Sequence, residues 1–536
     1  MKKMWLKVAA VCLILVFMLT GCIPVDLNDL LGQEDEWEMT AFKDMEYSRS
    51  DALALVEKSQ AVLDAVEAGE DAAAVMEKVF SFYEDYHTYY TNYALANIYY
   101  CKDLTDTHWE EEYNYCIETS TQVDAALDQM LYGLADCNIK EELEAEEYFG
   151  EGFFDDFEGE SIWDETFTAL AEQEAQLESQ YYELTEQSMS VEYYSEKFFT
   201  TIGAQMAELF VELVKVRQQM AEYAGYEDYP SFAYDFDYYR DYTPAQAETY
   251  LDAIAQELVP LYRNMDTYEY WRIAGEESSE EDTFKYVEDC AKAMGGTIQE
   301  AFELMSEAGL YDISVGKNKY NASFEIYLSN YGEPYVFLDP AGTVDDQLTF
   351  THEFGHFCND YASWGTQVGI DVAEFFSQGL EYLSLCYVGT EDLATMKMMD
   401  CLNLYVEQSC FASFEHQVYD LKGEDLTVEN VYALYKQVGT TYGFDSWNWD
   451  SRDFVLIPHF FTSPMYIISY VVSNDAALQM YQIEKETEGA GLAKYEENLD
   501  TLEGDFLAFV ESAGLTSPFT AGRVETVRKT LEEVLK

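Results

Sequence analysis

Two of the six histidines of the chain lie four positions apart in the segment HEFGH, with a glutamate directly after the first. On a helix this spacing brings His352 and His356 to nearly the same side, one turn apart, so both imidazoles can reach one metal ion. Glu353 lies about a third of a turn further round, where its carboxylate can hold a water at that ion without being a ligand. The segment predicts a zinc-hydrolase helix; the alternative is a pair of histidines packed in the core.

A catalytic zinc needs a third protein ligand and an open fourth position. The segment DVAEFFSQGLEYL, which begins at Asp371, is typical of a helix, and its polar residues with helical spacing form one stripe: Glu374, Ser377, Gln378 and Glu381. The stripe predicts Glu374 as the third ligand and Glu381 as a hydrogen-bonding support for a ligand. A solvated helix face is the alternative.

The elements that must position these residues begin with a predicted β-hairpin. Phe324, Ile326 and Leu328 alternate along one segment, a polar loop follows, and residues 335–338 return as a second strand. The hairpin ends directly before the HEFGH segment, so we expect a small sheet beside the zinc helix.

A capping pattern predicts where the zinc helix starts. Thr343 and Asp346 have the spacing of a capping box, in which each side chain accepts a hydrogen bond from the other residue's backbone. We therefore expect a helix from about Val344 past Cys358, with HEFGH well inside it.

The composition points to a folded, mainly helical protein. Of 536 residues, 48% are hydrophobic and 16% aromatic, and only 9 are prolines. This excludes general disorder, and the scarcity of proline favours long uninterrupted helices.

The N-terminus has the features of a targeting signal. Lys2, Lys3 and Lys7 form a basic start, and residues 8–19 are an apolar run too short to span a bilayer comfortably. The run ends in LTGC, which resembles the lipobox of a bacterial lipoprotein signal.

The resemblance to a lipobox implies a signal peptide over 1–21, cleavage before Cys22, and lipidation of the Cys22 thiol. A tether over 22–45 would then hold the protein on the outer face of the cytoplasmic membrane. An uncleaved signal anchor is the alternative.

The charge is strongly negative, with 29 basic against 104 acidic side chains and a formal charge of −75. Without residues 1–21, which hold three lysines and no acid, 26 basic side chains face 104 acidic ones, a charge of −78. Such a field repels nucleic acid and draws cationic peptides toward a cleft, although it also serves solubility. We therefore expect no nucleic-acid partner.

Two segments carry a specific resemblance. GTVDDQLTFTHEFGH followed by AEFFSQGLE is similar to the oligoendopeptidase F and thimet oligopeptidase family of zinc metallopeptidases. In that family the histidines of HExGH and a glutamate in an E-x-x-S-x-x-x-E stretch bind zinc. The resemblance implies that His352, His356 and Glu374 bind one Zn²⁺ and that Glu353 is the catalytic base that activates the zinc-bound water.

A third segment, IPHFFTSPMYIISY, begins at Ile457. In the family a histidine and following tyrosines donate hydrogen bonds to the tetrahedral intermediate, and His459, Tyr466 and Tyr470 match them, with the tyrosines one helical turn apart. Such donors are needed because the scissile carbonyl becomes an oxyanion. An aromatic core helix is the alternative, and the family's Gly-Gly hinge is replaced by TSP at 462–464.

The resemblance runs from about residue 195 to the C-terminus and implies a fold. The family is almost wholly helical, with two halves around a deep channel that admits peptides but not folded proteins. We expect a mainly α, multi-helix zincin-type peptidase with a small sheet next to the HExxH helix and two halves around a deep cleft. The expected domains are an N-terminal helical domain over 46–194 and a zinc metallopeptidase catalytic domain over 195–536.

The sequence thus predicts a zinc-dependent metalloendopeptidase that hydrolyses short peptides outside the cytoplasmic membrane. A zinc carboxypeptidase or peptidyl dipeptidase of related architecture stays open, because it would share the same residues. A non-catalytic, lipid-anchored peptide-binding protein also stays open, although an intact Glu353 argues against it.

Overall fold

The computed structural model describes residues 39–145, 148–150, 152–157, 162–188, 191, 195–366, 368–446 and 449–535. The predicted signal peptide and Cys22 lie outside the described residues. Across the part of the chain that is described, no helix is both long and apolar enough to cross a membrane.

The N-terminal region is built on three long helices that begin at aspartate caps. Its helices are α1 (Ala52–Ala68), α2 (Ala72–Lys102), α3 (Thr107–Ala135) and α4 (Lys140–Leu143). Asp51, Asp71 and Asp106 accept hydrogen bonds from backbone N–H groups in the first turns of α1, α2 and α3. The helices enclose a hydrophobic cluster of their own, which includes Val62 and Val79.

A second group of helices leads from this region toward the sheet. They are α5 (Glu165–Ser188), α6 (Glu196–Phe199), α7 (Ile202–Tyr223), α8 (Tyr229–Phe232), α9 (Pro244–Glu257), α10 (Val259–Tyr262), α11 (Thr267–Ala274), α12 (Glu280–Met294) and α13 (Gly296–Ala308). Phe167 and Tyr181 of α5 join the large core rather than the N-terminal cluster. The domain boundary between residues 194 and 195 stays a prediction.

The sheet has three strands, β1 (Tyr311–Asp312), β2 (Ser323–Leu328) and β3 (Glu333–Leu338). The predicted hairpin is confirmed, since β2 and β3 are antiparallel with Phe324 opposite Phe337. Strand β1 was not predicted; it pairs in parallel with β3 over two residues, too few for a sequence period. The strand order β1-β3-β2 leaves β2 at an edge of the sheet.

The remaining helices surround the HEFGH segment. They are α14 (Asp345–Ser363), α15 (Ile370–Tyr387), α16 (Glu391–Val418), α17 (Val428–Thr441), α18 (His459–Thr462), α19 (Ile468–Glu486), α20 (Ala490–Glu496), α21 (Phe506–Ser512) and α22 (Arg523–Val534). Short 3-10 turns occupy Phe42–Asp44, Phe153–Phe157, Gly423–Asp425, Phe444–Ser446 and Asp453–Leu456, and a π-turn occupies Ala233–Asp237.

Helix α14 contains HEFGH as predicted, but its start differs from the predicted capping box. The Thr343 hydroxyl has no hydrogen-bond partner, so the predicted Thr343 cap is wrong. The other half of the predicted box is confirmed, because the Asp346 carboxylate accepts from the Thr343 N–H, and it also accepts from the N–H groups of Ala341 and Gly342, all at 2.7 to 2.9 Å. The carboxylate thereby fixes the loop that leads from the sheet into α14.

The glycine of HEFGH allows α14 and α15 to approach closely. A Cβ at Gly355 would lie 2.6 Å from the Cα of Ser377 and 2.7 Å from the carbonyl oxygen of Phe376. Both are backbone atoms that cannot move aside, so a larger residue would separate the two helices. This contact sets the polar stripe of α15 against the histidines of α14.

Candidate active site

His352, His356 and Glu374 form a candidate metal centre. Potential ligand atoms of the three residues lie within 4.8 Å of one another. The two imidazole centroids are 5.1 Å apart, and His352 Nε2 lies 3.6 Å from Glu374 Oε2. Two imidazoles and one carboxylate are a donor set typical of catalytic zinc sites, so the residues fit the predicted ion.

Three side chains hold the Glu374 carboxylate. Its Oε1 accepts a hydrogen bond from the Tyr466 hydroxyl at 3.2 Å. Its Oε2 accepts from Ser377 at 3.3 Å and from Gln378 at 3.5 Å. The α15 stripe is buried, with Glu374 only 6% exposed, so the alternative of a solvated face is wrong.

Glu381 supports His352, as predicted, and it has a partner that was not predicted. Glu381 Oε1 lies 2.9 Å from His352 Nδ1, and Lys397 of α16 donates to Glu381 Oε2 at 2.6 Å. Burial disfavours the charged imidazole, but Glu381 and Glu374 outweigh burial and raise the pKa of His352 to about 9. Burial also opposes the Glu381 carboxylate, yet Lys397 and His352 hold its pKa below the ordinary value.

The candidate base Glu353 is 7% exposed and lies beside this network. Burial raises the pKa of Glu353 to about 7; the charge of His352 opposes the shift and that of Glu374 adds to it. A backbone hydrogen bond from Glu325 of β2 favours the Glu353 carboxylate. The predicted base therefore lies next to the edge strand.

A pair of carboxyl groups near the base was not predicted from the sequence. Glu325 of β2 and Asp360 of α14 share a hydrogen bond, and burial raises the pKa of Glu325 well above its ordinary value and that of Asp360 to about 7. Asp360 lies one turn beyond HEFGH, which is the only sequence signal for this pair.

His459, Tyr466 and Tyr470 come together across from the metal centre. The His459 and Tyr466 rings stack with centroids 5.5 Å apart, and the two tyrosine rings are 5.0 Å apart. His459 Nε2 lies 3.4 Å from the Tyr470 hydroxyl. The prediction of one helical turn between the tyrosines is wrong, because α19 begins at Ile468 and Tyr466 precedes it in a turn.

Burial keeps His459 and Tyr466 neutral. It lowers the pKa of His459 to about 4 and raises the pKa of Tyr466 well above its ordinary value. Both side chains are therefore uncharged at pH 7, and the Tyr466 hydroxyl keeps its proton. We call His459, Tyr466 and Tyr470 the donor side, and His352, His356, Glu374, Glu381 and Lys397 the ligand side.

The other three histidines lie elsewhere. His416 contacts the Tyr234 hydroxyl at 2.9 Å and is buried. His87 and His108 belong to the N-terminal region, on α2 and α3.

Comparisons with protein-family models cover most of the chain. Residues 170–501 match a model described as Peptidase family M3, and residues 42–161 match the Peptidase M3 N-terminal domain. No curated protein is similar enough in sequence to count as a relative.

Several solved structures share the fold over nearly their whole length. A protein assigned as an oligoendopeptidase F has a TM-score of 0.78 at 20% identity, with 92% of this chain and 98% of that chain covered. PZ peptidase A, solved with an inhibitor, has a TM-score of 0.78 at 18% identity, covering 92% and 99%. A protein from Bacillus anthracis assigned as an oligoendopeptidase F has a TM-score of 0.75 at 21% identity, covering 93% and 98%. The predicted mainly α, multi-helix class with a small sheet beside the HExxH helix is confirmed.

Proposed function

Because the chain belongs to peptidase family M3, we propose that this metallopeptidase is a zinc-dependent oligoendopeptidase that cuts short peptides internally. One observation carries the proposal: His352, His356 and Glu374 lie close enough together to hold one metal ion, with Glu353 beside them and the Tyr466 hydroxyl donating to Glu374. The peptide-binding alternative needs no base at that position.

Zinc bound by His352, His356 and Glu374 would supply Lewis-acid chemistry, polarising a peptide carbonyl and lowering the pKa of water. Hydrogen bonds on the ligand side orient the side chains that would bind that ion. Glu381 accepts from His352 Nδ1, which leaves the other ring nitrogen, Nε2, free to face Glu374.

Glu353 is the general base in this proposal. Its carboxylate takes a proton from the attacking water and passes the proton to the amine that leaves. Burial raises the pKa of Glu353 to about 7 in the protein without metal, and bound zinc would lower it, which favours the carboxylate that takes the proton from water.

The donor side stabilises the oxygen that becomes negative as the peptide carbonyl is attacked. The Tyr466 hydroxyl donates to Glu374 in the protein without substrate, and it is the group placed to transfer that hydrogen bond to substrate. Removing one such donor typically costs 10²- to 10³-fold in rate. Tyr470 and neutral His459 complete the set.

Strand β2 offers a docking edge for an extended peptide. It is an edge strand of the sheet, and the backbone of Glu325 on it lies beside Glu353. A peptide paired with β2 by main-chain hydrogen bonds would lie next to the base. Peptides N-methylated at the paired amides should therefore be cleaved more slowly; equal rates would contradict this docking.

The test of the proposed function uses the full chain with a mixture of short peptides and mass spectrometry of the products. We expect internal cuts by the wild type that vanish in Glu353→Gln and persist in Glu407→Gln, a buried glutamate of α16. Cuts confined to peptide ends would favour the carboxypeptidase or peptidyl dipeptidase. Intact peptides in all samples, with zinc bound, would favour the peptide-binding protein.

A location outside the cytoplasmic membrane, through a lipid on Cys22, is a separate proposal. The LTGC segment supports it. Membrane fractionation of cells that express wild type and Cys22→Ala tests it; membrane association that does not change in the variant would contradict it.

A further inference from the structure

The turn that carries Tyr466 has a strained backbone. Met465 has a φ of +66°, in the left-handed region that residues with a Cβ adopt only where the surroundings impose it. No glycine lies between His459 and Tyr470 to relieve that strain. The contacts around residues 463–466, which we call the tyrosine turn, must therefore hold it in place.

Three side chains, two from the segment 238–240 and one from α16, bind the backbone of the tyrosine turn. The Tyr238 hydroxyl donates to the Pro464 carbonyl at 2.9 Å, and the Met465 N–H donates to Glu415 at 3.0 Å. The Met465 carbonyl accepts from Arg240 Nη1 at 2.9 Å. Since proline has no N–H, every backbone polar group of these two residues has a side-chain partner.

Arg240 connects this turn to the helices on both sides of the site. Its Nη2 donates to Ser469 of α19 at 2.8 Å, and its Nε lies 3.4 Å from Asp371 in the first turn of α15. The guanidinium lies 4.5 Å from the ring centroid of Tyr234 and 4.4 Å from that of Tyr238. The guanidinium is nearly fully buried, so its orientation is fixed by these partners.

The direction of Tyr466 follows from that fixed turn. One residue after Met465, the Tyr466 side chain stacks on His459 and donates to Glu374. We propose that Arg240 is a positioning residue for Tyr466, which holds the tyrosine turn so that the hydroxyl faces the metal centre before substrate arrives. The inference rests on the proposed function, because it assigns Tyr466 to the same reaction.

The test combines substitutions of Arg240 and Tyr466. Arg240→Lys keeps the charge but cannot bind Met465, Ser469 and Asp371 together, because its single ammonium lacks the planar fork. Arg523→Lys is the matched control, since Arg523 is a buried arginine whose hydrogen bonds go to Asp475 and Gln482. Each change is made in the wild type and in Tyr466→Phe.

We expect Arg240→Lys to lower kcat about tenfold or more in the wild type, with KM and zinc affinity changed less than about twofold. In Tyr466→Phe the same change should lower kcat less than about twofold, because a residue that acts only through the Tyr466 hydroxyl has nothing left to position. Losses that multiply, or an Arg240→Lys enzyme with wild-type kcat, would overturn the inference. Arg523→Lys should stay within about threefold in both backgrounds.

Hydrogen exchange at Met465 and the Tyr238→Phe variant test the positioning role of Arg240 in two further ways. Hydrogen exchange of the Met465 amide needs no activity, and it should speed up about tenfold in Arg240→Lys but not in Arg523→Lys. Unchanged exchange of the Met465 amide in Arg240→Lys would overturn the inference, whether or not the wild type cleaves peptides. A wild type that cleaves no peptide would refute the proposed function, independently of the exchange result. If Arg240→Lys does not fold, Tyr238→Phe replaces it. It should lower kcat less than Arg240→Lys would in the wild type and leave kcat nearly unchanged in Tyr466→Phe. Full kcat of Tyr238→Phe in the wild type would also overturn the inference.

Discussion

The ligand side and the donor side are built from opposite kinds of side chain. On the ligand side, Glu381 lies between His352 and Lys397, with charged partners at 2.9 and 2.6 Å. On the donor side, His459, Tyr466 and Tyr470 contact one another through aromatic rings, and burial lowers the pKa of His459 to about 4. One side is a network of charges, and the other is neutral.

The difference fits what each side is proposed to bind. A cation is held by groups that carry or accept negative charge, and Lys397 balances the carboxylate that supports His352. A developing oxyanion is stabilised by groups that keep a proton to donate, so neutral rings serve better than carboxylates. Substitutions on the ligand side should therefore weaken zinc binding, whereas substitutions on the donor side should lower kcat.

The largest effect should come from the ligand side. Glu374→Gln removes the anionic member of the donor set, so we expect the variant to lose zinc and its activity to fall to that of the metal-free protein. Native mass spectrometry measures the zinc stoichiometry, and Glu407→Gln should keep both properties. A Glu374→Gln enzyme with full zinc and activity would contradict the assignment.

The next effect separates the donor side from the ligand side. Tyr466→Phe should lower kcat by about 10²- to 10³-fold while one zinc stays bound, because only a transition-state donor is lost. Steady-state kinetics at saturating zinc measure this, with Tyr435→Phe, a buried tyrosine of α17, as the control. A loss of zinc without a loss of kcat per zinc-loaded enzyme would place Tyr466 on the ligand side instead.

A smaller effect should appear when the support for His352 is weakened. Glu381→Gln removes the carboxylate between His352 and Lys397, so zinc affinity should fall by about 10- to 100-fold. At saturating zinc, kcat should change little. Competition with a chromophoric chelator gives the affinity, and an unchanged zinc dissociation constant would show that Glu381 does not support the metal.

The smallest expected change concerns the pH profile. In the proposed reaction the active form of Glu353 is the carboxylate, so activity should be present above its pKa and lost as pH falls through it. That pKa is raised to about 7, and bound zinc, which favours the carboxylate, should move the acid limb of kcat/KM below that value. His459→Gln should lower the whole curve without moving the limb, because His459 is neutral throughout this range. An acid limb that shifts in His459→Gln would show that His459 titrates in this pH range, which would contradict a neutral donor side.

The ligand side could be predicted from the sequence to a large extent. The spacing of His352, His356 and Glu374 is local, set by two helices whose periods are visible in the sequence. Lys397 could not be predicted, because its contact with Glu381 depends on how α16 packs against α15.

The donor side was predicted by residue but not by conformation. The tyrosines were expected on one helix, whereas Tyr466 precedes α19 in a turn with a left-handed residue. That turn is held by Arg240 and Glu415, which lie 225 and 50 positions away from Met465 in the sequence. No local pattern encodes such long-range contacts, so the resemblance supplied the residues and the structure supplied their geometry.

We propose that one metal ion is held on the ligand side, opposite the donor side. Anomalous diffraction at the zinc absorption edge, from crystals grown with zinc, tests this claim most directly. We predict one anomalous peak bounded by the imidazoles of His352 and His356 and the carboxylate of Glu374. A peak at other residues, or none between these three, would contradict the account.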